Sequence, residues 1–409
     1  MAGSALSVFN DFMTATDSAI LTSPDSIVNE AVKNNYLLRR FMKGRGPEEV
    51  LQGGKTIKDQ ILFDEESTFE YYQPNATFTW ENPQVLSEWE IDWRFCVDHM
   101  SWTDHEIELN AGGGLSSKAR HAVYKRLRRV KEQRLWTSLI NGVDDALFAV
   151  PVAADMEGST GTKPYSIPVF INEATNGLYE QDDGDGTSTL WTVKQGIDPT
   201  VKTKWKPKQA TYKFDDSGVL AAHDNSAGIL AAFDNMYLSV KFSAPPTKQE
   251  YFENDNLYRQ FIACSKSGIT KYSQVLRLQQ DRFAVSPQDP AFIKPTYAGI
   301  ELEYVADLDT AALYRDHDDN SSHAEGDVFA DGATGTDEAA YKGPRYYWVN
   351  ANYLKPVFHT KRYMFRHEVM THPNQPFTHV QPVDCWMNFV CQSNMRQGII
   401  SPAAAFAGA

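Results

Sequence analysis

Residues 88–98 read EWEIDWRFCVD. Trp89, Ile91, Trp93, Phe95 and Val97 share one side of a period of two, while Glu88, Glu90, Asp92, Arg94 and Asp98 take the other. That alternation predicts a strand, and about 11 residues at roughly 3.3 Å each extend over about 35 Å. Upstream, residues 50–66 (VLQGGKTIKDQILFDEE) change to the same period after Gly53-Gly54, with Ile57, Asp59, Ile61 and Phe63 alternating imperfectly with Lys58, Gln60 and Leu62. The intervening stretch from Phe69 to Asn82 is rich in aromatics, Thr, Pro and Asn, the texture of a broad loop tip. The two strands predict a long hairpin with one apolar face. An isolated hairpin is marginal in water, and one this long cannot cover its face with its own short connections, so a neighbouring subunit is its natural partner. Trp89, Ile91, Trp93 and Phe95, with Phe69 and Tyr71 near the tip, are the expected inter-subunit contacts. The competing reading of Trp89, Trp93 and Phe95 is the core of a sheet.

Gly53-Gly54-Lys55-Thr56 invites a phosphate-loop reading. Such a loop needs a first glycine five residues before the Gly-Lys pair and a helix after it, because converging backbone amides hold the phosphates. The required position holds Glu49, and the residues after Thr56 alternate like a strand. The motif is a turn that launches a hairpin.

Two helices frame the hairpin. Residues 23–44 begin with Ser23 and Pro24 and end at Gly44, with apolar pairs at helical spacing, and about 22 residues before them read as an arm. After the break NAGGGLSS (110–117), residues 116–147 predict one helix nearly 50 Å long, with Asn141-Gly142 as a potential early end. Its first half carries Lys118, Arg120, Lys125, Arg126, Arg128, Arg129, Lys131 and Arg134 against one acid, Glu132. This is either a strip that meets phosphates without reading bases or a solvated face paired with acidic neighbours. Residues 150–215 are loop-rich, with DDGDGTST (182–189) as an exposed turn, and residues 225–237 predict a buried helix. Strands are expected at 271–279, 297–305, 345–354 and 385–392, and the acidic stretch 316–338 as a solvated surface loop. The mixture is α+β.

A net charge of −14 over 409 residues excludes a chain coated uniformly with nucleic acid and leaves only local basic faces for that role. Four scattered cysteines without zinc or redox spacing point to free thiols in a reducing compartment. The N-terminal residues lack the pattern of a secretory signal, and no apolar run reaches membrane-span length, so a soluble protein with no membrane partner is expected. HEVMTH (367–372) places its histidines five apart, where a zinc helix needs four. QDDGDGTS does not match the calcium-loop pattern, and no nucleophile elbow is present. No catalytic residue, metal ligand or cofactor is assigned.

The element order resembles the major capsid proteins of tailed bacteriophages with the HK97-type fold. GGKTIKDQILF is similar to the start of that family's extended loop, EWEIDWRFCVDHMSW to its return strand, and LSSKARHAVYKRLRRVKEQRLWTSLINGV to its spine helix. The resemblance implies an N-terminal arm over 1–50, an extended loop over 51–98, a peripheral domain over 99–204 and an axial domain over 205–375 carrying the insertion 316–338. Residues 376–409 would return to the peripheral domain and tail. It further implies a non-catalytic shell protein of hexamers and pentamers around double-stranded DNA, with arm and loop lapping over neighbours and the basic helix strip facing DNA. A separate scaffolding protein, a portal and a cementing protein are the implied partners, in a virion assembled in the host cytoplasm. The alternatives are an encapsulin-like shell around protein cargo and, in a different class, an α+β hydrolase using paired carboxylates.

Overall fold

A computed structural model describes residues 37–42, 49–51, 54–62, 71, 86–111, 117–149, 153–156, 158, 161–173, 180–182, 188–191, 193–212, 228–241, 259–279, 295–309 and 344–402. In chain order, a short helix Leu38–Met42 leads to β1 (Glu49–Leu51), β2 (Thr56–Leu62), β3 (Leu86–Asp92) and β4 (Arg94–Thr103). Helices Asp104–Ala111 and Ser117–Leu147 follow. Next come the small hairpin of β5 (Glu180–Asp182) and β6 (Ser188–Leu190), then β7 (Lys208–Tyr212) and helix Ile229–Val240. After β8 (Gln260–Cys264) and helix Lys266–Gln279, β9 (Thr296–Tyr297) and β10 (Ile300–Tyr304) form a tight hairpin. The chain continues through β11 (Tyr346–Asn350), β12 (Leu354–His359), β13 (Phe365–Arg366), β14 (Met370–His372), β15 (Gln375–Cys391) and β16 (Gly398–Pro402).

Two compact units result. Among the described residues, the first is built from segments within 96–143 and 361–385, and the second from segments within 35–95, 144–360 and 386–402. The divisions fall inside the long helix and inside β4 and β15. β16 lies in the second unit, in one sheet with β7, β8, β10 and β11.

The second unit is organised by a six-stranded sheet in the order β7-β16-β11-β8-β10-β9. Its central strands β8 and β11 are buried on both faces, so they read as the apolar runs QFIAC and YYWVN. Helix Ile229–Val240 buries Ile229, Ala232, Phe233, Met236 and Val240 against it, one stripe at helical spacing. The Phe233 ring stacks on Tyr272 at 5.2 Å and meets Tyr346 edge-on at 5.0 Å. The helix crosses β16 at Gly398, where a Cβ would fall on the sulfur of Met236 and force that side chain to move. Residues 271–279 are helical, which corrects the strand expected there. Ser265 Oγ caps the helix by accepting from the Gly268 amide at 3.1 Å, and Ile269, Tyr272 and Val275 repeat every three residues into the core. The helix end Leu38–Met42 is held in this unit by a buried pair. Arg40 donates to Glu303 at 2.7 Å, Arg39 to the same carboxylate at 3.2 Å, and Arg40 also pairs with Glu301. Phe41 packs edge-on to Phe261 and Phe389.

In the first unit, helix Ser117–Leu147 runs through Asn141-Gly142 without ending, as one element of 31 residues. Of its described side chains as far as Val143, the buried ones, Leu127, Leu135, Leu139 and Val143, lie four or eight apart, a single i+4 ridge. Leu127 packs on Met100 and Trp102 of β4, while Leu135 and Leu139 pack on Val383 of β15. Residues 1–36 of the N-terminal arm, the tip of the extended loop apart from Tyr71, and the acidic stretch 316–338 lie outside the described residues.

Candidate assembly surfaces

The hairpin base is an antiparallel ladder from Thr56↔Asp92 to Leu62↔Leu86. Gly54 begins it at φ +116°, a conformation that favours glycine, and a strand comes next where a phosphate loop would start a helix. On the outward face of the ladder Lys58 bridges Glu88 at 3.1 Å and Glu90 at 2.7 Å. The hydrogen bonds from Lys58 to these carboxylates raise its pKa, and the bond to Lys58 lowers that of Glu90. On the inward face Trp89, Ile91 and Trp93 are only 2%, 3% and 5% exposed, and Ile57 lies opposite Ile91. These three therefore serve as core of their own chain. The expectation that they are uncovered apolar surface awaiting a neighbour is corrected.

The alternation expected to run unbroken over 88–98 reverses at Trp93. This residue belongs to neither strand, and its indole donates to Gly54 O at 3.1 Å. Asn388 Nδ2 donates to Asp92 O at 2.7 Å. Arg94 then turns inward, 3% exposed, and its guanidinium donates to the carbonyls of Met156, Gly158 (2.9 Å) and Gly161 (2.7 Å). Burial lowers its pKa, and these carbonyls replace the water it has lost. With the phase reversed, Phe95 and Val97 face out at 62% and 71% exposure, not inward with the tryptophans. Phe95 still touches Trp386 edge-on at 4.8 Å. Tyr71 is 94% exposed, and Phe69 lies outside the described residues.

β4 pairs with β15, and the contacts Phe95–Trp386 and Trp102–His379 set the register. Each step up β4 matches one step down β15, so the strands are antiparallel and Val97 lies opposite Asp384. Phe365 of β13 is the other partner of Asp384, and Met370 of β14 is opposite Val380. Val97, Phe365 and Met370 thus share one exposed face of the first unit's sheet, while Val383 and Cys385 are buried on the other. Asp384 on the exposed face accepts from Arg362 at 3.2 Å and lies 3.2 Å from His367 Nε2. His367 of the rejected zinc motif is thereby engaged with a carboxylate, and among the described residues no group of three or more His, Cys, Asp or Glu side chains could hold a metal ion.

The basic helix residues do not form one strip. Lys131 falls on the inward ridge, four residues from both Leu127 and Leu135, and its Nζ donates to Glu106 at 2.6 Å and to Ser101 O at 2.7 Å. It is removed from the set expected to meet DNA, because its charge is already satisfied within its own unit. Arg129 and Arg134 are exposed and Arg128 is half-buried. Lys118, Arg120, Lys125 and Arg126 lie on the helix, with side chains outside the described set. Glu132, the lone acid of the stretch, pairs with Arg366, whose guanidinium sits 5.8 Å from the Trp136 ring centroid. Sequence reasoning missed Arg366, which lies 234 positions away along the chain. Among the described residues no helix is long and apolar enough to cross a membrane.

No protein-family model matches the chain, and no curated protein matches its sequence. Solved structures do. The capsid asymmetric unit of cyanophage A-1(L) aligns with a TM-score of 0.51 at 11% identity, covering 94% of this chain and 96% of that one. The mature capsid of bacteriophage PhiM1 gives 0.47 at 10% identity over 94% and 92%, and the capsid of a native GTA particle 0.46 at 10% over 95% and 98%. Nearly the whole chain, from hairpin base and long helix to the final strands, is arranged as in the cyanophage capsid subunit: it has the HK97-type capsid fold.

Proposed function

We propose that this chain is the major capsid protein of a tailed bacteriophage, a non-catalytic subunit that self-associates as hexamers and pentamers into an icosahedral shell around double-stranded DNA. The observation that carries the reading is the alignment end to end with a capsid subunit, over 94% of one chain and 96% of the other. Exposed apolar residues support it: Val97, Phe365 and Met370 on one sheet face, and Phe95 and Tyr71 beside or within the extended loop. With Trp89, Ile91 and Trp93 buried at its base, the loop laps over a neighbour through its outer part, where Phe69 and Tyr71 lie. The arm over 1–50 laps likewise. Residues 99–204 supply most of a peripheral domain and 205–375 an axial domain at the capsomer axis. Arg129 and Arg134, with the basic residues earlier on the helix, meet DNA phosphates without reading sequence. A separate scaffolding protein guides closure in the host cytoplasm, and a portal and a cementing protein complete the virion.

Sizing chromatography of the purified protein, then nuclease treatment of the high-mass fraction, tests this reading. Megadalton particles holding nuclease-protected DNA are expected from infected cells. Particles filled with protein instead would favour a cargo compartment, and a small oligomer with hydrolytic activity would favour an enzyme.

A further inference from the structure

β4 and β15 each carry a cysteine at the same level of the sheet. The antiparallel register set by Phe95 against Trp386 and Trp102 against His379 places Cys96 directly opposite Cys385. Opposed residues on neighbouring strands project to the same face. Here the face is the one toward which Val383 and Cys385 are buried, and Cys96, between the exposed Phe95 and Val97, turns half-buried toward it. The two residues already touch: Cys96 Sγ donates to Cys385 O at 3.3 Å. Both cysteines are reduced in this structure.

We propose that Cys96 and Cys385 are an oxidisable pair that closes to an intrachain disulfide joining β4 to β15. Directly opposed strand residues hold their Cβ atoms about 4.5–5.5 Å apart, and a disulfide requires about 3.5–4.5 Å, so a small approach of the two strands suffices. The two thiols differ in role. Cys96 is the more accessible, and its hydrogen bond to Cys385 lowers its pKa, whereas Cys385 is fully buried and its pKa is raised. Cys96 as thiolate attacks one sulfur of a disulfide oxidant such as oxidised glutathione and expels one glutathione thiolate. Cys385, on losing its proton, attacks Cys96 Sγ and expels the second glutathione. Two thiols become one disulfide, and the two electrons and two protons appear on two glutathione thiols.

The bond would join the first residue of one segment of the first unit, 96–143, to the last residue of another, 361–385, and so prevent β4 from fraying off β15. A shell made in a reducing cytoplasm and released from the cell would close the bond after release. That timing rests on the capsid reading; the chemistry of the pair does not.

The test uses the purified full-length chain, both as free subunit and as assembled particles, incubated with oxidised glutathione. Remaining thiols are blocked with iodoacetamide, and non-reduced digests are mapped by mass spectrometry. The expected result is a peptide linking Cys96 to Cys385, with two of the four thiols lost and Cys264 and Cys391 still alkylated after denaturation. The unfolding midpoint should rise by several degrees and fall back with dithiothreitol. Cys385→Ser should abolish the rise and leave Cys96 as the mixed disulfide with glutathione. Three results would overturn the proposal: all four thiols surviving oxidation, the wild type stopping at that mixed disulfide, or the linkage forming between chains. A chain that closes the bond yet never builds particles overturns the capsid reading alone.

Discussion

Replacing Lys194 with methionine should stabilise the protein, and the size of the gain can be worked from the lysine's surroundings. Lys194 is wholly buried, and its Nζ donates to Phe170 O at 3.1 Å. Burial is the main cause that lowers its pKa from 10.5 to about 7, with Lys206 adding to the fall and Cys391 opposing it. Cys391 is itself pushed up to about 12 by burial, so it stays a neutral thiol at neutral pH. That fall corresponds to roughly 4–5 kcal/mol of unfavourable burial of the charge. Methionine has similar length and flexibility without the charge. Orphaning the Phe170 carbonyl returns about 1–3 kcal/mol of that, so the variant should gain about 1–4 kcal/mol near pH 7.

The sign with pH is set by proton counts. Below about pH 7 both folded and unfolded chains hold the proton and the cost is fully present. Between about 7 and 10.5 the unfolded chain holds more protons, so this lysine's contribution makes stability rise with pH. Urea unfolding monitored by tryptophan fluorescence at several pH values from 6 to about 10 would measure both effects. The variant should be more stable at pH 7 and should lack the rise that the wild type shows. A variant that is less stable at pH 7 and keeps the wild-type slope would refute the reasoning, because it would mean that Lys194 is held charged by a favourable partner.

Glu303→Ala removes the buried carboxylate that pairs with Arg40 and should cost about 3–5 kcal/mol, read as a lower thermal midpoint; an unchanged midpoint would mean that the pair is not buried in solution. Phe95→Ser combined with Val97→Ser should change stability by about 1 kcal/mol or less yet reduce particle yield, and full yield would remove the outward face of β4 from the interface. Trp89→Ala should act the other way, costing about 3–5 kcal/mol of folding stability through a cavity in the core, with soluble yield lost before assembly is reached. Arg129→Gln with Arg134→Gln should leave shells closed but lower their DNA content, most clearly at raised salt; wild-type content would make the exposed arginines a solvated face.

The elements legible in the sequence are those whose signal is local. The long helix shows because its apolar residues repeat every four positions over many turns, and the structure begins it at Ser117, one residue from the expectation. The ladder of β2 with β3 that follows Gly54 is likewise readable. The hidden features depend on partners distant in the chain. At the reversal beside Trp93, the carbonyls of Met156, Gly158 and Gly161 receive the Arg94 guanidinium, and nothing within 88–98 announces them. The same holds for Lys131, which reads as one basic residue among eight until Glu106 and Ser101 are seen to take its ammonium. The helix at 266–279 reads as a strand when the window begins at Lys271, which cuts off the capping Ser265 and leaves Tyr272, Val275 and Leu276 without their helical context.

Electron microscopy of the purified chain, assembled with its scaffolding protein where one is needed, tests the central claim most directly. Closed spherical shells of uniform diameter, with six- and five-fold clusters of subunits, are the result predicted here. A field of monomers or small rings that never close, under conditions where the chain is folded, would contradict it.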